Sequence, residues 1–183
     1  VLLHPSVGAL QAVVTELYPI GDDLREALTA TESLFRAAPL WQVVLVIAVA
    51  PAICEELAFR GFILSGFRRL GNKWRAIIYS AFFFGLAHAI LQQSLIACLV
   101  GVVIGFVAVQ TGSLLPGMAF HLVHNSMPFL LTQLTPEMLE RRPMLGSLLS
   151  LKDSGYTFHP STVLISALAA SVVLLWFGTR RAP

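Results

Sequence analysis

Long apolar runs separated by short polar turns occupy most of the chain after residue 38. A helix needs about 20 apolar residues to cross a hydrocarbon core about 30 Å thick, and most of these runs approach that length. The pattern therefore predicts an all-α fold, a polytopic transmembrane helical bundle of about five spans. The predicted spans are 40–67, 76–91 (somewhat short for a full crossing), 95–110, 114–131 and 163–177.

The segments outside these runs are more polar. Residues 1–38 predict an amphipathic, peripheral arm with one helix at 6–18. A second helix should begin at Asp22 and Asp23, because acidic side chains are favourable at a helix N-terminus. We expect a polar loop between the fourth and fifth spans and a basic C-terminus at Arg180 and Arg181. The four expected parts of the chain are thus 1–38, 39–131, 132–160 and 161–183.

Composition supports an integral membrane protein. Only 12% of the residues are charged and 56% are hydrophobic, whereas a soluble domain has about 25% charged residues. Cys54 and Cys98 both fall in apolar runs, and we interpret them as small buried hydrophobic residues. The chain begins at Val1, so we expect a piece of a longer membrane protein or a processed chain. No phosphate-binding GxxxxGK[ST] motif and no basic stripe with aromatics is present, so nothing favours nucleotide or nucleic-acid binding.

The first span carries three charged residues at membrane depth, Glu55, Glu56 and Arg60. Such charges are costly in a bilayer, so the default interpretation is a functional site that faces the protein interior. Glu56 and Arg60 are four residues apart and can pair on one helical face, whereas Glu55 lies about 100° round the helix. One carboxylate is therefore expected to be structural and the other available for chemistry. Pro51 should kink the helix just before them.

Two later spans each add a polar turn. His88 follows Phe84 by one turn, which would place an aromatic wall beside the imidazole. In the fourth span, His121 and Asn125 share one face and offer donors that could stabilise an oxyanion. His124 lies beside them, and we expect it to support His121.

These groups suit water-mediated hydrolysis of a peptide bond. A carboxylate beside an imidazole can take a proton from water and return it to the leaving amine. Metal chemistry is the alternative, because Glu55 or Glu56 with His88 and His121 would form a His₂Glu zinc site. No HExxH pair is present to pre-form such a site. The sequence leaves the cofactor open: none for a glutamate-type enzyme, zinc for a metalloprotease.

The three polar segments together resemble the motifs of the CPBP intramembrane proteases, the CAAX-protease and bacteriocin-processing group. This family includes the eukaryotic Ras-converting CAAX prenyl endopeptidases and the bacterial Abi proteins. The matching segments are EELAFR from Glu55, FGLAH ending at His88 and HLVHN from His121 to Asn125. Their order is that of the family's EExxxR, FxxxH and HxxxN patterns, and the similar region runs from about residue 40 to 129.

The resemblance implies roles for these residues. Glu55 and His88 would activate water, His121 and Asn125 would stabilise the oxyanion, and Glu56 with Arg60 would form a structural ion pair. The region 39–131 would be the catalytic core of an intramembrane endopeptidase that acts on a membrane-associated or exported peptide or protein.

The resemblance also implies a setting for the chain. We expect a multi-pass protein of a bacterial inner membrane, in contact with the bilayer and with a peptide or membrane-protein substrate. The sequence around the motifs also resembles that of CPBP domains fused to ABC-type permease subunits. Such permease subunits are therefore further expected partners. The alternative function is a non-catalytic membrane module for immunity or for ABC transport.

Overall fold

A computed structural model describes residues 2–152 and 155–179. The chain is almost entirely helical in this part, with one small two-stranded sheet, so the predicted all-α membrane fold is confirmed. Its helices are α1 (His4–Leu17), α2 (Asp22–Ala37), α3 (Leu40–Arg68), α4 (Lys73–Leu86), α5 (Leu91–Thr111), α6 (Leu115–Leu131), α7 (Pro136–Glu140), α8 (Pro143–Gly146) and α9 (Pro160–Gly178). The strands are β1 (Leu149–Lys152) and β2 (Gly155–Phe158).

Three of the described helices, α3, α5 and α9, are long and apolar enough to cross a membrane. The other two predicted spans also form helices, but they are shorter. Helix α4 has 14 residues and α6 has 17, against the roughly 20 that a full crossing needs. The described residues thus contain three candidate spans, and the expected count of about five stays a prediction.

Helix α3 is irregular around Pro51. Two stretches of π-helix, Leu45–Val49 and Glu56–Leu64, lie on either side of the regular turns at Ala50–Glu55. Proline has no N–H to donate to the preceding turn, so a helix around it must rearrange its hydrogen bonds. Wider π turns also occur often at functional sites. The second stretch contains Glu56 and Arg60, so the motif lies on a widened part of the helix.

Helices α4 and α5 pack closely through small residues, as the spacing of Gly101 and Gly105 predicts. A Cβ added at Gly101 would lie 3.0 Å from the Ala81 Cα atom. Asn72 caps α4 by accepting hydrogen bonds from the backbone N–H groups of Trp74 and Arg75. These contacts fix α4, which carries Phe84, against α5.

The N-terminal arm differs from the expectation in its first half. Helix α2 has no buried residue, as a peripheral amphipathic helix should. Helix α1, however, packs against α5 and α9, and its first residue, His4, is only 4% exposed. Helix α1 is therefore only partly at the surface: Val7 and Val14 pack against the bundle, whereas Val13 and Leu17 are exposed.

Two further expectations need correction. The segment 132–160, expected as a polar loop, contains α7, α8 and the β1–β2 hairpin. Cys54 is exposed on the helix surface, where lipid would cover it, and Cys98 is half-buried; a buried position for Cys54 is wrong because its face of α3 points outward. Asp153 of that segment, Val1 and the C-terminal Arg180 and Arg181 lie outside the described residues.

Candidate active site

Glu56 and Arg60 form a fully buried ion pair. The Arg60 Nη1 atom donates to Glu56 Oε1 over 2.9 Å, and both side chains have 0% relative exposure. Arg60 also donates from Nη2 to the Gly101 carbonyl over 3.2 Å, and its guanidinium lies 4.4 Å from the centre of the Phe84 ring. The pair therefore links α3 to both α4 and α5, which is the arrangement that its i, i+4 spacing predicts.

Glu55 occupies a different environment from its neighbour. Its side chain is 32% exposed, and its Oε2 atom lies 3.5 Å from His121 Nε2 on α6. No arginine or lysine contacts it within ion-pair distance in the described part of the chain. Glu55 is thus the carboxylate that a permanent cation does not neutralise.

His121 lies between the two carboxylates. Its Nε2 atom faces Glu55, and its Nδ1 atom lies 3.4 Å from Glu56 Oε1. His121 therefore has one ring nitrogen beside each carboxylate, and it connects α6 to the charged motif on α3.

Gly117, one turn before His121 on α6, permits this close approach. A Cβ at this position would lie only 2.6 Å from Glu56 Oε2, which is closer than any normal contact. The absence of a side chain therefore lets α6 lie directly against the carboxylate of α3.

His88 lies in the connection after α4 and not on the helix itself, contrary to the prediction of a helical FGLAH segment. Helix α4 ends at Leu86, where the Ser94 hydroxyl donates to the Gly85 carbonyl over 2.8 Å. The His88 ring still contacts Phe84, with centroids 5.0 Å apart. Its Nδ1 atom lies 2.9 Å from the Phe84 carbonyl oxygen. A carbonyl only accepts, so Nδ1 carries the proton, and the lone pair of the neutral ring is on Nε2.

A cavity of about 870 Å³ brings the second and third motifs together. His88, His121, His124 and Asn125 all line it, and Phe84 forms part of its apolar wall. Glu55 and Glu56 are not among its lining residues, and His121, which contacts both carboxylates, connects them to the cavity. His121 and Asn125 both line this space, as side chains on a shared helical face would.

His124 contacts α1. Its Nδ1 atom lies 3.2 Å from His4 Nδ1, and its ring stacks on Phe120 at 5.5 Å. These contacts do not involve His121, so the supporting role expected for His124 stays a prediction. The sequence analysis missed His4, which stands alone in an arm without a motif.

The β1–β2 hairpin also contributes to the cavity, through Tyr156, Thr157 and Phe158. The His4 and Phe158 rings meet edge to face at 5.8 Å. Burial raises the pKa of the Tyr156 phenol, so its hydroxyl remains a donor at neutral pH. The sequence analysis missed this contribution as well.

The residues proposed as zinc ligands do not form a ligand set. Glu55 and His121 are in contact, but no ion-pair contact joins His88 to either glutamate. Among residues 2–152 and 155–179, no three His, Cys, Asp or Glu side chains converge as metal ligands would. The arrangement therefore does not fit a His₂Glu metal centre, and we derive no step through a metal.

Comparison with known families gives one match. Residues 37–127 match the family model described as "Type II CAAX prenyl endopeptidase Rce1-like". This range contains all three motifs and ends two residues after Asn125. No curated protein and no solved structure matches the chain.

Proposed function

Because residues 37–127 belong to the Rce1-like family of type II CAAX prenyl endopeptidases, we propose that the chain hydrolyses a peptide bond with water activated by Glu55 and His88. The observation that supports this proposal is the convergence of all three motifs on one site. Glu55 contacts His121 at 3.5 Å, and the Phe84 ring contacts both histidines, with centroids 5.0 Å from His88 and 5.8 Å from His121.

The attacking water lies between Glu55 and His88 in this mechanism. Glu55 accepts a proton from the water, because it is the carboxylate without a permanent cation. His88 Nε2 carries a lone pair and accepts the water's second hydrogen bond, which orients the oxygen towards the substrate carbonyl. General-base catalysis of this kind contributes about 10²- to 10⁴-fold to the rate.

Asn125 and His121 stabilise the charge that then develops. The hydroxide oxygen bonds to the carbonyl carbon, and the electron pair of the C=O bond moves to its oxygen. The Asn125 amide donates a hydrogen bond to this oxyanion. His121 donates a second one from Nε2, because Glu55 beside it has by then taken the proton of the water and is neutral. Collapse of the intermediate breaks the C–N bond, and Glu55 returns its proton to the leaving amine.

The remaining ion pair is structural in this proposal. Arg60 neutralises Glu56 and keeps α3, α4 and α5 in register. Because Glu56 also faces His121 Nδ1, the pair fixes the orientation of the imidazole that reaches the cavity. Glu56 and Arg60 therefore act by positioning other groups and do not touch the substrate.

The membrane location of the chain indicates its substrate class. The three long apolar helices and the family indicate an integral membrane protein, so the substrate is a membrane-associated or exported peptide or a membrane protein. We further propose that the chain works in a bacterial inner membrane, with permease subunits as fused or associated partners.

A proteolysis assay tests this function. Detergent-purified wild type, Glu55→Gln and Glu55→Ala would be incubated with a quenched-fluorescence peptide library, each with and without a strong zinc chelator. We expect cleavage by wild type that survives the chelator and falls about 10²- to 10⁴-fold in both variants.

Two results would contradict the mechanism. Loss of cleavage with the chelator and recovery with added zinc would establish a metalloprotease. The absence of any Glu55-dependent cleavage would overturn the enzymatic proposal and favour a non-catalytic membrane module.

A further inference from the structure

The β1–β2 hairpin lies beside the candidate active site, and only one of its strands faces the cavity. Tyr156, Thr157 and Phe158 of β2 line the same 870 Å³ space as His88 and Asn125, whereas no β1 residue does. Strand β1 pairs with one edge of β2 and contributes no lining residue, and its Leu149 is buried. The outer edge of β2 is therefore the edge directed to the cavity.

The pairing register shows which backbone groups point to that edge. The strands are antiparallel, with Leu149 opposite Phe158 and Leu151 opposite Tyr156. The His159 N–H donates to the Leu148 carbonyl over 3.0 Å, so this pair is hydrogen-bonded. Hydrogen-bonded and non-hydrogen-bonded pairs alternate along an antiparallel ladder. The next pair, Leu149 with Phe158, is therefore non-hydrogen-bonded, and so is Leu151 with Tyr156.

The N–H and C=O groups of Tyr156 and Phe158 consequently point away from β1. Neither residue has another backbone hydrogen-bond partner in the described part of the chain. Unpaired groups of this kind form a template for a further strand.

A protease substrate needs hydrogen-bond partners for its own backbone, of the kind that this strand edge offers. A peptide bond must leave helix or hairpin pairing before water can attack it, and its freed N–H and C=O groups then require partners. At membrane depth water does not supply those partners freely. The β2 edge offers them within the cavity that His88, His121 and Asn125 line.

We propose that β2 is the substrate-docking strand, on which an extended peptide pairs with the backbone of Tyr156 and Phe158 as a third strand. This proposal rests on the peptidase function above and adds how the substrate binds. The added strand would run about 4.8 Å from β2. Main-chain bonds would provide affinity, and alternate substrate side chains would contact the apolar walls of the cavity.

The first test uses wild-type protein and modified substrates. A quenched peptide that wild type cleaves would be N-methylated at one backbone position at a time, and kcat/KM would be measured for each. Methylation removes a donor and blocks strand pairing. We expect losses of about 5-fold or more at every second residue on one side of the cleaved bond, because alternate N–H groups face β2.

The second test changes the strand. Tyr156→Pro removes an outward N–H and leaves the β1–β2 ladder intact, since Tyr156 does not bond to Leu151. Compared with Tyr156→Ala, which keeps the N–H, we expect kcat/KM to fall about 3- to 10-fold. The matched control is Leu151→Pro against Leu151→Ala, whose N–H points to the opposite edge, and we expect no difference between them.

The outcomes separate this proposal from the function on which it rests. Glu55-dependent cleavage with equal rates for Tyr156→Pro and Tyr156→Ala, and with methylation losses that do not alternate, would overturn the docking strand and leave the peptidase intact. The absence of Glu55-dependent cleavage would overturn both. Thermal unfolding of each proline variant confirms that a lower rate does not reflect a lost fold, and the substrate scan does not depend on any variant.

Discussion

Glu55 and Glu56 are adjacent in sequence but differ in solvent exposure and in the partners of their carboxylates. Glu56 has 0% exposure, accepts a hydrogen bond from Arg60 and lies directly against the helix backbone at Gly117. Glu55 is one-third exposed and, among the residues that the structure describes, contacts only His121 within ion-pair distance. We call these the closed side and the open side of α3. A buried charge with a full set of partners stabilises structure, whereas a carboxylate without a permanent cation remains available to bind a proton.

The largest expected effect concerns stability on the closed side. Glu56→Gln leaves Arg60 buried without its counter-charge, so we expect the free energy of unfolding to fall by about 3–5 kcal/mol. Glu55→Gln is the matched control, because it makes the same chemical change on the open side, and it should change stability by less than about 1 kcal/mol. Unfolding in mixed detergent micelles measures both. A larger loss for Glu55→Gln would reverse the assignment of the two sides.

The next effect concerns catalysis on the open side. Asn125→Ala removes a proposed oxyanion donor, so we expect kcat to fall about 10²- to 10³-fold with little change in KM. Ser126→Ala is the control, because its hydroxyl donates to the Leu122 carbonyl of its own helix and not to the cavity. Peptide cleavage rates for both variants test this. If Asn125→Ala and Ser126→Ala cleave the peptide at equal rates, Asn125 is not a catalytic residue.

The closed side was predictable from sequence because it depends on local geometry. Glu56 and Arg60 lie four residues apart on one helix, and helical periodicity alone brings them together. The shared face of His121 and Asn125 follows from the same rule. The general fold was predictable as well, since long apolar runs with few charges require a membrane.

The open side depends on contacts that no local rule contains. Glu55 meets His121 because Gly117 lets α6 approach, and the sequence does not reveal which glycine has that role. His88 leaves the helix because Ser94, on the next helix, bonds to the Gly85 carbonyl. The hairpin was missed because each strand is only four residues long, too short for alternation to exceed the background of an apolar chain. His4 reaches the cavity only through the packing of α1.

The third effect tests that close approach. Gly117→Ala places a Cβ 2.6 Å from Glu56 Oε2, so α6 must move away from α3. We expect a loss of about 1–3 kcal/mol in the free energy of unfolding, together with lower cleavage because His121 moves with α6. Gly66→Ala is the control, since nothing lies within 4 Å of its added Cβ. If both variants are as stable as wild type, the contact between α6 and Glu56 is looser than the distances indicate.

The smallest effect compares two histidines one turn apart on α6. His124→Phe keeps the stacking on Phe120 but removes the contact with His4 Nδ1. We expect a loss of about 1 kcal/mol in stability, the value of one hydrogen bond, and a change in kcat of less than about 3-fold.

His121→Phe removes both carboxylate contacts and should lower kcat by more than about 100-fold. Cleavage rates and unfolding curves of the two variants provide the measurement. Because both changes replace an imidazole with the same ring, a comparable loss of kcat in His124→Phe would extend the catalytic groups to the His4–His124 contact and make α1 part of the active site.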